Sequence, residues 1–144
     1  MRFMVIVKAN KDSEAGIMPS RDLLEKMGAY NEDLAKAGIL LAADGLHPSS
    51  KGARVKFLNG KHVVTEGPFP ETEQLIAGFW IWRVKSKEEA IEWLKRAPFG
   101  GGVEIELRQV FETADFGDQL TPELREQEAR VAAQAKQRSQ AAKS

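Results

Sequence analysis

The chain has 144 residues, of which 42% are hydrophobic and 29% are charged, with 21 basic and 21 acidic side chains. This composition predicts one globular domain, because a second independent core is not expected at this length. The balanced charge does not favour nucleic acid as a partner, since nucleic-acid binders gather a basic excess on one face. The absence of cysteine excludes disulfides, thiolate metal sites and cysteine nucleophiles.

The first apolar run, Phe3–Val7, is too short for a signal-peptide core or a membrane span. We therefore predict a cytoplasmic protein with no membrane partner. With its flanking residues, as residues 2–8, the run predicts a central β-strand that is covered on both faces.

An amphipathic helix is predicted over residues 20–37, with Ser20 as N-cap and Gly38 as the C-terminal stop. Gly28 inside this helix is disfavoured by about 1 kcal/mol relative to alanine, which predicts a close approach of helix and sheet at that point. The helical period of 3.6 residues gives the helix an apolar stripe. The stripe contains Leu23, Met27, Tyr30 and Leu34.

Two further elements follow the helix. Residues 39–43 predict a second strand that ends at the turn signal Asp44-Gly45. The segments 54–58 and 61–65 predict a β-hairpin, because Asn59-Gly60 between them tolerates the two positive φ angles of a type I′ turn.

The next strand is predicted over residues 78–84, and a second helix follows it. Ser86 and Glu89 have the spacing of a capping box, and Pro98 ends the helix. Residues 103–110 predict the last strand, in which apolar and charged side chains alternate. The second helix is predicted to bury Ala90, Ile91, Trp93, Leu94 and Ala97.

The order strand, helix, strand, hairpin, strand, helix, strand predicts an α+β fold, a ferredoxin-like split βαβ with an inserted β-hairpin. Both helices then lie on one face of an antiparallel sheet, and the other face needs a cover. Neither face of the strand 78–84 suits water, since Trp80 and Trp82 share one face and Phe79 and Ile81 the other. We therefore predict a homodimer that packs sheet to sheet.

The end of the chain has a different composition. Residues 113–144 are predicted to be a polar extension, partly helical or disordered, outside a domain of residues 1–112. Thr121-Pro122 predicts a helix start, and the only larger apolar residues that follow are Leu124 and Val131.

The segment Glu66–Thr72, EGPFPET, resembles the DGPF motif of the YCII-related family. Further segments in the family's order extend the resemblance over residues 1–112. The resemblance implies a dimeric α+β barrel, in agreement with the predicted topology, and implies little about the reaction. The further segments are Met27–Glu32, Asp44–Pro48, Ala77–Trp80, Glu88–Trp93 and Val103–Arg108.

The chain departs from the family pattern at several positions. Glu66 replaces the aspartate of DGPF, and the segment Glu71–Gln74 lacks the lysine that many members carry there. Short members have a first-helix histidine that suggests acid–base chemistry together with an aspartate, whereas this helix has Tyr30 and Asn31. That histidine–aspartate pair is therefore not transferred to this chain.

His47 and Asp44 are the candidate catalytic residues. A histidine at the end of a strand has a pKa suited to proton transfer, and Asp44 is close enough in sequence to orient its ring. The alternative is an ordinary loop histidine before Pro48. His62 in the hairpin is expected to be solvated.

The candidate ligand-pocket residues are charged or hydroxylated side chains from several elements. Glu104 and Glu106 would repel each other if buried together, so we expect them in a wet or ligand-filled cavity, with Arg108 binding a carboxylate or phenolate. The alternative is an edge-strand ion pair. For Glu66, the alternative is a structural role in a rigid turn. The predicted pocket residues are Tyr30, Glu66, Glu104, Glu106 and Arg108.

No metal site and no cofactor are predicted. The two histidines lack the helical spacing of metal ligands, and Gly100–Gly102 precede a strand and lack the lysine of a phosphate-binding loop.

The favoured function is a small-molecule-binding homodimer, with a second copy and an unidentified small molecule as partners and a regulatory role left open. The alternative is a lyase- or isomerase-type enzyme that uses acid–base chemistry on a small aromatic or hydroxylated substrate, with His47 as base and Arg108 holding the anion. The family resemblance includes one YCII-like relative that is a dehydrochlorinase of chlorinated hydroxyquinols. A protein-interaction module that binds through the polar tail is the third possibility.

Overall fold

The computed structural model describes the backbone of residues 1–143 and the side chains of residues 1–142. Met1–Val110 form one compact unit, and the chain from Phe111 onward forms another. The helices of the first unit are α1 (Lys11–Glu14), α2 (Arg21–Lys36) and α3 (Lys87–Lys95). Its strands are β1 (Arg2–Lys8), β2 (Leu40–Gly45), β3 (Ala53–Leu58), β4 (Lys61–Glu66), β5 (Ile76–Arg83) and β6 (Ile105–Gln109).

The first unit has the predicted ferredoxin-like topology. Four strands form a sheet in the order β2-β5-β1-β6, and β3 pairs with β4 in a separate two-stranded sheet. Every pairing is antiparallel. The α+β fold with an inserted hairpin is therefore confirmed, and β1 occupies a central position in the sheet as its apolar run predicted.

The core lies between the sheet and the helices. Trp82 is opposite Phe3 in the strand register and Trp80 is opposite Val5, and all four side chains are buried. Tyr30 of α2 contacts both tryptophans edge-on, with ring centroids 6.0 Å and 6.4 Å away. The helices therefore cover the tryptophan face of β5, so this face does not need a second subunit.

The opposite face of the sheet is the one that the helices leave open. Ile6 faces Glu106 and Met4 faces Arg108 across β1 and β6. Ile81 shares this face, because it is opposite Met4 in β5. Met4, Ile6 and Ile81 are half-buried and lie outside the core cluster. We call Met4, Ile6, Phe79 and Ile81, together with Glu106 and Arg108, the open sheet face.

Strand β2 is longer than predicted. Asp44 and Gly45 do not form a turn but continue the strand, opposite Phe79 and Gly78. A Cβ atom at Gly78 would lie 3.0 Å from the carbonyl oxygen of Asp44, so the missing side chain allows the close approach of the two strands. The turn prediction was therefore wrong because the partner strand decides the end of β2.

Two glycine predictions were also wrong. Gly28 of α2 is exposed, and a Cβ atom there would meet nothing within 4 Å, so it does not mark a close approach of helix and sheet. At the hairpin tip Gly60 has a φ of 79°, whereas Asn59 does not have a positive φ. The turn therefore lacks the two left-handed residues of type I′.

The second half of the unit differs from prediction in smaller ways. Ser86 caps α3 through a hydrogen bond from the Glu89 backbone, but the Glu89 carboxylate accepts from the N–H of Lys85 and not of Ser86. Ile91 is exposed on the outer side of α3. Strand β6 begins at Ile105, since the N–H of Val103 bonds the carbonyl of Gly100 in a turn.

The second unit contains a 3-10 segment, Thr113–Gln119, and a long helix α4, Pro122–Lys143. The Thr121 hydroxyl accepts a hydrogen bond of 3.3 Å from the N–H of Leu124, as an N-cap does. Leu124 and Val131 are exposed. No helix among the described residues is long and apolar enough to cross a membrane.

Candidate functional site

The first unit has a cavity of about 460 Å³ at one end of the four-stranded sheet. Helix α2 contributes Leu23, Met27 and Asn31 to its lining, and the aromatic residues of the lining are Phe79, Trp80 and Phe99. This volume falls in the range of small-molecule sites, which are mostly apolar with a few polar groups. The lining therefore has the character of a ligand site.

Helical periodicity explains why α2 contributes to both the cavity and the core. Leu23, Met27 and Asn31 are four residues apart and lie along one side of the helix. The predicted apolar stripe is divided between two roles: Leu23 and Met27 are half-exposed in the cavity wall, whereas Tyr30 and Leu34 are buried in the core.

Asn31 is a polar group of the cavity whose side chain is held by a hydrogen bond. Its side-chain oxygen accepts a hydrogen bond of 2.8 Å from the indole Nε1 of Trp80. Because that bond uses the amide oxygen, the amide NH₂ is the part of Asn31 that can donate to a ligand. The bond also fixes the orientation of Trp80 in the cavity wall.

Asp44 is the acidic residue of the cavity lining. Strand β2 places it opposite Phe79, so the two side chains are on the same side of the sheet, and both residues line the cavity. A carboxylate here accepts hydrogen bonds from a hydroxyl or amine of a ligand.

Lys8 lies on the cavity lining, and its charge is already compensated. Its Nζ is 2.7 Å from a carboxylate oxygen of Glu104, which is itself strongly exposed. The hydrogen bond and the charge of Glu104 raise the pKa of Lys8, and Lys8 lowers the pKa of Glu104 for the same reasons. The pair therefore presents little net charge to a ligand.

The structure separates the residues that the sequence proposed for the site. Asp44 lines the cavity, whereas His47 is exposed in the loop after β2 and does not line it. The two members of the proposed catalytic pair are thus divided between the cavity and the surface loop. The other predicted residues that do not line the cavity are Tyr30, Glu66, Glu104, Glu106 and Arg108.

Tyr30 is a core residue with a structural hydrogen bond. It is 5% exposed, and its hydroxyl donates to the backbone carbonyl of Trp93 at 2.6 Å. Burial raises the pKa of Tyr30 to about 12, although the charge of Arg96 lowers it in part. The phenol therefore joins α2 to α3.

The charged side chains of β6 pair with one another on the open sheet face. Arg108 Nη1 lies 3.2 Å from a carboxylate oxygen of Glu106, and this pair is solvent-accessible. Glu104 instead bonds Lys8. Glu66 lies at the exposed end of β4, opposite Ala53.

The turn that follows β4 is held by contacts with Arg54 and Ser49. The ring of Phe69 lies under the guanidinium of Arg54, with 3.9 Å from the Arg54 carbon Cζ to the ring centroid. Arg54 also pairs with Glu71 at 3.3 Å. The backbone N–H of Phe69 donates to the Ser49 hydroxyl at 2.9 Å.

Asn31 was not among the predicted site residues, although it lies beside Tyr30 in the segment that resembles the family. The available signal was its position four residues after Met27, on the same side of the helix. The described residues contain no group of three or more histidine, aspartate or glutamate side chains that could hold a metal ion.

Comparison with known proteins assigns the chain to a family. No curated protein matches it. A solved structure that is similar to it is 5-chloro-2-hydroxyhydroquinone dehydrochlorinase (TftG) from Burkholderia phenoliruptrix AC1100, in complex with 2,5-dihydroxybenzoquinone. The identity is 15%, the TM-score is 0.37, and the match covers 78% of this chain and 96% of that one. The model of the YCII-related domain matches residues 1–114. With four-fifths of its length inside that match, this chain belongs to the YCII-related domain family.

Proposed function

We propose that this protein binds a small planar molecule, an aromatic ring with a hydroxyl or amino group, in the cavity beside α2. The observation that carries the proposal is that Asn31 of α2 and Asp44 of β2 both belong to a lining that is mostly apolar. A ring suits the apolar walls, and its polar substituent can donate to the carboxylate and accept from the amide.

Resorcinol is a suitable probe, because it combines a ring with two hydroxyls. We expect the wild-type protein to bind resorcinol, and NMR titration measures the dissociation constant. Asp44→Asn is expected to weaken binding by about tenfold, because a hydrogen bond to a charged group is lost. Asp33→Asn is the matched control, because Asp33 is an exposed carboxylate of α2 outside the cavity. Equal binding of toluene, or no effect of Asp44→Asn, would contradict the proposal.

An acid–base enzyme of lyase or isomerase type is the second candidate, with Asp44 as its proton acceptor. What favours it is the position of this acidic residue on the cavity lining. The candidate predicts that hydrogen at a ring or side-chain carbon of a bound hydroxylated compound exchanges with solvent deuterium. Asp44→Asn would abolish this exchange, whereas simple binding produces none.

We also propose that the working form is a homodimer that packs through the open sheet face. Support comes from the half-buried apolar side chains Met4, Ile6 and Ile81, which lie on the side of the sheet away from the core cluster. An antiparallel sheet with an apolar outer face needs a cover, and a second copy supplies one without any further component.

A further inference from the structure

Part of the cavity wall comes from a segment with little core of its own. Asn10, Ser13 and Pro19 line the cavity, and α1, which contains Ser13, has no buried residue. Ile17 and Met18 in the same segment are 60% and 77% exposed. A segment with so few apolar contacts keeps its position through hydrogen bonds. We call residues 10–19 the cavity flap.

Glu14 connects the cavity flap to the loop after β2. Its carboxylate accepts a hydrogen bond from the hydroxyl of Ser49 and another, at 2.9 Å, from the backbone N–H of the same residue. Hydrogen bonds to an ionised acceptor are about twice as strong as those between neutral groups. Both residues are half-buried, so water competes less for these bonds than at an open surface.

The turn after β4 holds Ser49 from the other side. The N–H of Phe69 donates to the Ser49 hydroxyl oxygen at 2.9 Å. Since a hydroxyl has one hydrogen, a Ser49 oxygen that accepts from Phe69 directs its own hydrogen toward Glu14. Gly67 is also essential to this contact, because a Cβ atom there would overlap the carbonyl oxygen of Ser49.

We propose that Glu14 and Ser49 form a latch that holds the cavity flap in place, and that the turn Gly67–Phe69 orients this latch. None of these residues lines the cavity, so their influence on a bound molecule passes through the flap. They are positioning residues. The effect on binding rests on the proposed function, whereas the latch itself can be measured without any ligand.

The direct test is hydrogen–deuterium exchange of the full-length protein, followed by mass spectrometry. In the native flap the N–H groups of Glu14, Ala15 and Ile17 are hydrogen-bonded within the flap. We expect Glu14→Gln to accelerate exchange in peptides covering residues 9–19 by about tenfold while peptides of β1 and β5 keep their rates, because the flap opens locally. Ser49→Ala is expected to accelerate the same peptides less, since its backbone N–H still bonds Glu14.

Asp33→Asn is the matched control. It removes an exposed carboxylate of α2 that does not line the cavity and belongs to neither the flap nor the latch. Exchange in residues 9–19 should be unchanged in this variant. Equal acceleration in Asp33→Asn and Glu14→Gln would overturn the latch, because the effect would then be a general one.

The role of the turn is tested by Gly67→Ala and by a double variant. We expect Gly67→Ala to accelerate flap exchange, and Glu14→Gln/Ser49→Ala to accelerate it by less than the two single effects combined, because residues of one network are not additive. Additive effects of Glu14→Gln and Ser49→Ala would overturn the coupling. If Gly67→Ala does not fold, the double variant still decides.

Resorcinol connects the latch to the cavity. We expect Glu14→Gln to increase its dissociation rate constant by about tenfold in NMR exchange measurements, whereas Asp33→Asn should keep the wild-type rate constant. Faster flap exchange with unchanged resorcinol dissociation would overturn the link between flap and cavity. Failure of the wild type to bind resorcinol would contradict the proposed function and leave the exchange result on the latch intact.

Discussion

The indole N–H of Trp80 donates to the side-chain oxygen of Asn31 at 2.8 Å, which joins β5 to α2 at the edge of the cavity. Trp80 is 4% exposed, so its N–H has little access to water when this partner is removed. Trp82 shows the contrast: its Nε1 is buried and has no hydrogen-bond partner among the described residues. The two tryptophans thus share the core while only one is tied to the cavity.

We expect Asn31→Ala to lower the free energy of unfolding by about 1–3 kcal/mol, because a buried donor loses its acceptor. Chemical denaturation of Asn31→Ala, Trp80→Phe and the double variant measures the coupling between the two side chains. Additive losses would mean that the hydrogen bond contributes nothing to stability.

Tyr30 makes stability depend on pH in the alkaline range. Burial raises its pKa from 10.0 to about 12. Between these values the unfolded chain releases the phenolic proton and the folded chain retains it, so the unfolded state binds fewer protons and stability falls as pH rises. Below pH 10 the contribution of this group is fully present. Tyr30→Phe lacks the titration, and its stability difference from wild type is expected to shrink between pH 10 and pH 12.

The ionisation of Tyr30 can be followed directly, because the chain has one tyrosine. Absorbance at the phenolate band then reports this residue alone. We expect a midpoint of about 12 in the folded protein and about 10 after denaturation. A midpoint near 10 in the folded protein would show that the phenol is open to water.

The structure places His47 outside the cavity. Its side chain is exposed and does not line the cavity, so we expect His47→Ala to change stability by less than about 0.5 kcal/mol and to leave resorcinol binding unchanged. Denaturation and NMR titration measure these quantities. A large loss of binding would show that the loop after β2 closes over the ligand, which would restore His47 to the site.

The dimer proposal is tested at the centre of the open sheet face. We expect Ile81→Glu to give a monomer in size-exclusion chromatography with light scattering, because a buried unpaired charge is costly at an interface. The control is Phe57→Glu at the hairpin, where Phe57 is 76% exposed on a different sheet. A wild-type monomer at micromolar concentration, or a monomer only with Phe57→Glu, would contradict the assignment of the interface.

Removal of the residues from Thr121 onward is expected to change the melting temperature by no more than about 4 °C, since residues 121–142 are all exposed. Differential scanning calorimetry of the shortened and full-length chains measures the effect. Loss of the dimer in the shortened chain would instead assign the helix α4 a role between subunits.

Local patterns in the sequence determined the type and order of the main elements. Ser20 caps α2 through the N–H of Leu23, and Gly38 follows the helix with a φ of 75°, as their residue types predict. The alternation of apolar and charged residues predicted that Leu107 and Arg108 lie on opposite faces of β6. The order of the elements along the chain then restricted the fold to a few possible topologies. These features depend on residues close in sequence, so the sequence contains the information for them.

Tertiary structure decided where the elements end and what their faces contact. Asp44 belongs to a strand and not to a turn because Gly78, 34 positions later, lets β5 approach it. The apolar stripe of α2 divides between Met27 and Tyr30 into a cavity wall and a core, and the helical period alone does not reveal this division. Contacts between distant segments bring Asp44 and Asn31 to the lining of one cavity. His47 is outside this lining. Local sequence fixes the conformation of each segment, but the site is made by contacts between segments, and these depend on packing.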